Sequence, residues 1–120
     1  MSALKSKASK ERERLPEPGK PVRGSASGRP VMALLDLLGR RWALRLVWEL
    51  RDRRLNFREL LELLAGNSGA LNTRLRELRS AGIVDHSEGE GYGLTSEGEK
   101  LLESLSPLHH WAERWAKRRR

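Results

Sequence analysis

The sequence contains no cysteine, which removes disulfides, thiol sensing and thiolate metal sites together. No apolar run approaches the roughly 20 residues that span a bilayer, and Met1 to Lys10 lack the apolar segment of a signal peptide. A cytoplasmic protein without membrane association is expected. A catalytic constellation is also missing. No serine is accompanied by a recognisable base and orienting partner, and no carboxylate pair is singled out by an apolar setting. Neither an enzymatic activity nor a cofactor is expected. His109, His110 and Glu113 come nearest to a metal site, but adjacent histidines on a helix point in different directions and no further ligand cluster accompanies them. No bound metal is expected, and His86 reads as a solvated residue. No internal repeat is visible.

What is present is positive charge. The chain has 120 residues, enough for one domain and too few for two well-buried cores. Its net charge is +8 and its isoelectric point is near 10.8, above the value of about 9 that marks an electrostatic footprint for nucleic acid. A membrane surface or an acidic protein would also satisfy that charge. Eighteen of the 24 basic residues are arginine, a side chain suited to bidentate contacts. Codon usage in a GC-rich genome would give the same excess.

The charge is unevenly organised. Residues 1–28 combine a charge run, "KSKASKERER", with the Pro, Gly and Ser-rich "LPEPGKPVRGSASGRP". Such composition does not bury enough surface to offset its ordering entropy. It predicts a disordered basic arm, either tracking phosphates or acting as a solubilising tail. The folded domain is expected over residues 29–120, beginning near Pro30, a good first helical residue. "VMALLDLLG" predicts one helix and "RRWALRLVWELRD" a second, with Trp42, Leu46, Val47 and Leu50 on one stripe. "RRLNF" reads as a brief extended link. Asn56 then caps a third helix whose Glu59 completes a capping box, with Phe57, Leu60, Leu61 and Leu64 as its buried face. After the turn "GNSG", Asn67 or Ser68 caps a fourth helix that ends at Gly82. "IVDH" and "YGLT" predict a hairpin. Thr95 or Ser96 opens a fifth helix, and Ser106-Pro107 restarts the chain as a last one.

This order gives a mostly α fold with a small β-hairpin: a winged helix-turn-helix, its fourth helix placed to enter the major groove of double-stranded DNA. Leu71, Leu75 and Leu78 share the inner face of that helix, while Ala70, Thr73, Arg76 and Ser80 turn to the other side, flanked by Asn72 and Arg74. Arg76 can read guanine through two hydrogen bonds and Asn72 can read adenine, while Thr73 can touch a thymine methyl or a phosphate. Ala70 permits close approach near the helix N-terminus, where free N–H groups attract phosphate. Asn56, Arg58, Ser68 and Arg79 complete the expected DNA-binding set. Periodicity alone leaves open an ordinary amphipathic surface helix.

The stretch "LLDLLGRRWALRLVWEL" resembles the opening of the HxlR-type winged-helix transcriptional regulators: an apolar helix, Gly39, Arg40, Arg41 and Trp42, then a second apolar helix. The resemblance continues through "NFREL", "LNTRLRELRSAGIV", "YGLTSEGEKLL" and a tryptophan-bearing last helix, over roughly residues 30–116. It implies a dimeric DNA-binding regulator acting on a near-palindromic operator, with no effector assigned. Three departures stand out. Many such proteins carry a sensing cysteine before the first helix, where this chain reads Gly28-Arg29-Pro30. The turn "AGNSGAL" is about one residue short. The wing, "DHSEGEGYG", is acidic, bringing Asp85, Glu88 and Glu90 where phosphate would repel them.

The last helix carries a stripe of Leu105, Leu108, Trp111, Ala112 and Trp115. So much aromatic surface suits either core packing against the first helix or a two-fold interface. The resemblance favours a homodimer in which Leu34 of the first helix joins Leu105, Leu108, Trp111 and Trp115. The acidic wing keeps a second possibility open, a winged-helix protein-interaction module that has lost DNA binding.

Overall fold

Side chains cap the N-termini of three of the described helices. The computed structural model describes residues 29–64 and 66–119; the arm expected over residues 1–28 lies outside them. The chain divides after Arg41 into two units. In the first, α1 (Pro30–Leu38) opens on proline and closes where the Gly39 N–H donates to the Leu35 carbonyl at 2.9 Å. Asp36 and Arg40 pair across its last turn at 3.2 Å, and Ala33 and Leu37 are its buried residues.

The second unit contains α2 (Ala43–Glu49), α3 (Phe57–Leu63), α4 (Ser68–Ser80), β1 (Val84–Ser87), β2 (Gly91–Leu94), α5 (Ser96–Ser104) and α6 (Ser106–Arg118). The expected capping box is formed: the Glu59 N–H donates to the Asn56 side chain and the Asn56 N–H donates to the Glu59 carboxylate, both at 2.9 Å. Asn67, rather than Ser68, caps α4, accepting from the Ala70 N–H at 2.9 Å. Its C-terminus closes in a Schellman arrangement, with the Ile83 N–H donating to the Leu78 carbonyl and the Gly82 N–H to the Arg79 carbonyl, each at 3.0 Å. Gly82 takes φ +78° there, which side-chain-bearing residues rarely adopt. The Thr95 hydroxyl then joins two elements. It donates to the Gly82 carbonyl at 2.6 Å and accepts from the Gly98 N–H at 3.0 Å, tying the end of α4 to the start of α5.

The apolar core of this unit is leucine-rich. Leu46, Val47 and Leu50 from α2 and its C-cap, Leu60 and Leu64 from α3 and its C-cap, and Leu71, Leu75 and Leu78 from α4 are buried, with Ile83 and Val84 behind the hairpin. α4 packs against α2, α3 and β1, and α5 packs against α2, β2 and α6.

Three expectations change. Trp42 does not join the α2 stripe; it precedes the helix as its N-cap at φ 73°, because the chain turns through Arg40–Trp42 before α2 begins. Phe57 and Leu61 are half-buried, so the buried face of α3 narrows to Leu60 and Leu64. The link before α3 does more than connect. Leu55 pairs with Tyr92 through two backbone hydrogen bonds, Leu55 N–H to Tyr92 O at 2.9 Å and Tyr92 N–H to Leu55 O at 2.7 Å. The hairpin, in register Val84 to Leu94 and His86 to Tyr92, is therefore fastened along its second strand to the segment that enters α3.

Gly91 makes that fastening possible. It sits at φ +82°, and a Cβ there would lie 2.7 Å from the Leu55 carbonyl carbon and 2.8 Å from the Asn56 nitrogen. Gly89 at the hairpin tip has nearly the same φ, +83°, with nothing within 4 Å of its would-be Cβ. Gly89→Ala should thus cost only the left-handed strain, about 1–2 kcal/mol. Gly91→Ala should cost about 3 kcal/mol or more, because backbone must also move. Denaturant unfolding of the two variants checks this; equal losses would show that the Leu55 contact constrains nothing.

Candidate nucleic-acid interface

Burying Leu71, Leu75 and Leu78 decides which residues of α4 face outward. The solvent-facing side carries Ser68, Asn72, Arg76, Arg79 and Ser80, all exposed, while Ala70 and Thr73 are half-buried at its edge. The face is thus rotated from the expected one: Asn72 lies within it, and Ala70 moves toward the protein. The buried face is wider than the three leucines because it also takes in Glu77, which is 4% exposed and pairs with Arg74 one turn away. A buried carboxylate needs such a partner, so Arg74 is held in the flank of α4 instead of the outer face. The Thr73 hydroxyl donates back to the Gly69 carbonyl at 3.0 Å, leaving its methyl group as the apolar contact. On α3, Asn56 is engaged as the cap, and Arg58 in the first turn is exposed. The structure therefore brings together Ser68, Asn72, Arg76 and Arg79 on one helix face, and places Arg74 apart from them.

Sequence reading missed Arg54. From the link before α3 its guanidinium reaches the wing, donating to the Asp85 carboxylate at 2.6 Å and to the Gly91 carbonyl at 2.9 Å, with Glu90 at 3.8 Å. It lies across Gly93, where a Cβ would come within 2.8 Å of Cζ. Two of the three wing acids are consequently paired within the chain. The available signal was a double arginine, Arg53-Arg54, just ahead of a segment whose strand partner belongs to an acidic hairpin. The His86 ring packs at a tilt of 58° against its cross-strand partner Tyr92, ring centroids 4.6 Å apart. Between the C-terminal half of α4 and the hairpin runs an open groove of about 520 Å³, lined by Arg76, Arg79, Ser80, Asp85, His86 and Thr95.

A different surface lies along α6. Leu108, Trp111 and Trp115 are 57%, 53% and 51% exposed, so they are not core residues of this chain. The two tryptophan rings stack at 5.9 Å. Leu105 is half-buried, as is Leu34 in α1. Beside the stripe, an apolar groove of about 630 Å³ is walled by Leu44, Val47 and Trp48 of α2 and by Leu105, Leu108 and Ala112. His109 stacks on Trp48 at 5.8 Å and lies 3.9 Å from Glu113. Among the described residues no group of three potential ligands could hold a metal ion, and no helix is long and apolar enough to cross a membrane.

Two helices joined by a tight turn, the second with an exposed arginine-bearing face and followed by a hairpin, define a winged helix-turn-helix. Residues 37–120 match the model of the HxlR-like helix-turn-helix family, and the chain belongs to that family of DNA-binding transcriptional regulators. It is 31% identical over 88 residues to the uncharacterized HTH-type transcriptional regulator YvaP of Bacillus subtilis (strain 168), covering 68% of this chain and 82% of YvaP. Among solved structures it is similar to quinone-bound YodB from B. subtilis, with TM-score 0.66 and 30% identity over 71% of this chain and 97% of that one. It is also similar to a possible HxlR family transcriptional factor from Thermoplasma volcanium GSS1, with TM-score 0.61 and 26% identity over 73% and 85% of the two chains.

The arginines of α4 should separate by stability. Arg74→Ala withdraws one partner of a buried carboxylate and should cost about 1–3 kcal/mol. Arg76→Ala and Arg79→Ala, at exposed positions, should stay within about 0.5 kcal/mol of wild type. Thermal unfolding of the three variants distinguishes them, and a neutral Arg74→Ala would contradict the structural role of that pair.

Proposed function

We propose that this protein is a homodimeric transcriptional regulator whose two α4 helices read the half-sites of a near-palindromic operator, and that any effector response proceeds without a thiol. The observation that carries the reading is the outer face of α4. Asn72, Arg76 and Arg79 are exposed on the second helix of a helix-turn-helix, and neither arginine forms an ion pair among the described residues. Charged groups held by no internal partner are available to an external one. Arg76 supplies the bidentate contact that suits guanine, and Asn72 the pair that suits adenine. Thr73 offers its methyl to thymine. Ser68 and Ala70, at the opening turn, allow the backbone N–H groups of α4 to approach a phosphate. Arg58 positions α3 on the sugar-phosphate backbone without reading sequence.

Dimerisation is supported by the α6 stripe. Exposed, contiguous aromatic surface of this kind marks an interaction site, and the adjoining groove on α2 extends it. Leu34 is included in the proposed interface with Leu105, Leu108, Trp111 and Trp115. The absence of cysteine from the 120 residues supports the thiol-independent part. The interaction-module reading loses its motive, because the acids that suggested it are largely paired with Arg54.

Selection of binding sites from a randomised duplex pool, at two salt concentrations, tests the DNA reading. Arg76→Ala should remove about 1–3 kcal/mol of discrimination at one position of each half-site. Arg58→Ala should weaken all sequences alike and lower the salt slope by about 1 per protomer. Half-site centres should lie one helical turn, or a multiple of it, apart. A folded Arg76→Ala protein with unchanged affinity and preference overturns the assignment of α4 as reader. Replacing Trp111 and Trp115 together by alanine should yield a monomer by light scattering, and an unchanged dimer would place the interface elsewhere.

A further inference from the structure

We propose that Arg54 is the counter-charge of the wing: by holding Asp85, with Glu90 close by, it keeps the Asp85 carboxylate from offsetting Arg76 and Arg79 in the groove between α4 and the hairpin and leaves both open to the DNA backbone. The proposal rests on the DNA-binding reading above and goes beyond it, since it assigns a role in binding to a residue outside the helix-turn-helix.

The groove has one cationic wall and one acidic one. Arg76 and Arg79 enter from α4, with Ser80 beside them, while Asp85 and His86 enter from β1. An uncompensated Asp85 would act against binding in two ways. It would repel a phosphate directly, and it would compete with DNA for Arg76 and Arg79. The Arg54–Asp85 contact at 2.6 Å removes both effects, and the guanidinium lies 3.8 Å from Glu90 as well. Charge-assisted pairs of this geometry keep their partners' charges compensated locally.

Holding the wing in place does not require this pair. Leu55 and Tyr92 already fasten β2 through two backbone hydrogen bonds at 2.9 and 2.7 Å, and the Arg54 donation to the Gly91 carbonyl at 2.9 Å reinforces a contact already made. What only the side chain of Arg54 adds is positive charge beside two carboxylates. This also accounts for the packing of its stem and guanidinium over Gly93, where the missing side chain leaves room for them.

The experiment compares four full-length proteins, wild type, Arg54→Met, Asp85→Asn and the double variant, for affinity to a short duplex of mixed sequence across a salt series, with melting temperature as the control for folding. Arg54→Met should weaken binding about tenfold and lower the salt slope by about 1 per protomer, because uncovered carboxylate offsets a phosphate contact. Asp85→Asn alone should bind as well as wild type or better. The double variant should recover most of the loss. Should Arg54→Met not fold, the Asp85→Asn result and the double variant still decide the matter. Loss of affinity in Asp85→Asn would make the pair a structural tie and overturn the proposal. An Arg54→Met defect that Asp85→Asn does not relieve would show Arg54 touching DNA itself, which also overturns it. Wild type that binds while Arg54→Met binds equally well sinks this inference alone; wild type that binds no duplex sinks the DNA reading with it.

Discussion

The burial of Leu71, Leu75 and Leu78 is the constraint on which the recognition surface depends. Each side chain is worth about 1.5–3 kcal/mol when removed from water, and their common face fixes the rotation of α4 about its axis. Rotation alone would leave the helix free to slide or fray. Asn67 at one end and the Gly82–Thr95 closure at the other remove that freedom, the first by capping and the second by joining α4 to α5. With both ends and one face held, the outward placement of Asn72, Arg76 and Arg79 follows from helical geometry.

Charge is distributed around that helix with a division of labour. Arg74 and Arg54 are used inside the chain, one beside buried Glu77 and the other beside Asp85 and Glu90. Arg58, Arg76 and Arg79 are left exposed. A net charge of +8 therefore says less about DNA binding than the pairing pattern does, because cations already compensated by carboxylates release no counterions from a phosphate backbone. The same pattern explains how an acidic hairpin is compatible with a DNA-binding fold. Away from this region, α6 presents Leu108, Trp111 and Trp115, so the exposed aromatic stripe and the outer face of α4 belong to different helices.

Local signals made most of the fold legible in the sequence. The Asn56–Glu59 box, the Asn67 cap, the Gly82 stop and Ser106-Pro107 each act within a few residues, and each marks a boundary that the structure also shows. The leucine spacing of α4 gave its inner face for the same reason. Long-range relations were not legible. The Leu55–Tyr92 bridge and the Arg54–Asp85 pair join residues more than thirty positions apart, and no periodicity encodes them. The outer face of α4 falls between the two cases. Its leucines were readable, but its exact orientation depends on Glu77 being buried, and a glutamate at that spacing looks like any surface residue until its surroundings are known. Trp42 shows the same limit, since only the turn preceding α2 explains its left-handed backbone.

The central claim is that the cationic face of α4 and the groove beside the hairpin meet duplex DNA while the aromatic face of α6 does not. Backbone amide resonances followed during titration with a short duplex report on both surfaces in one measurement. Shifts concentrated in residues 68–80 and 84–94, weakening as salt is raised and sparing residues 106–118, are the predicted result. Shifts centred on α6, with α4 and the hairpin unchanged, would contradict the account.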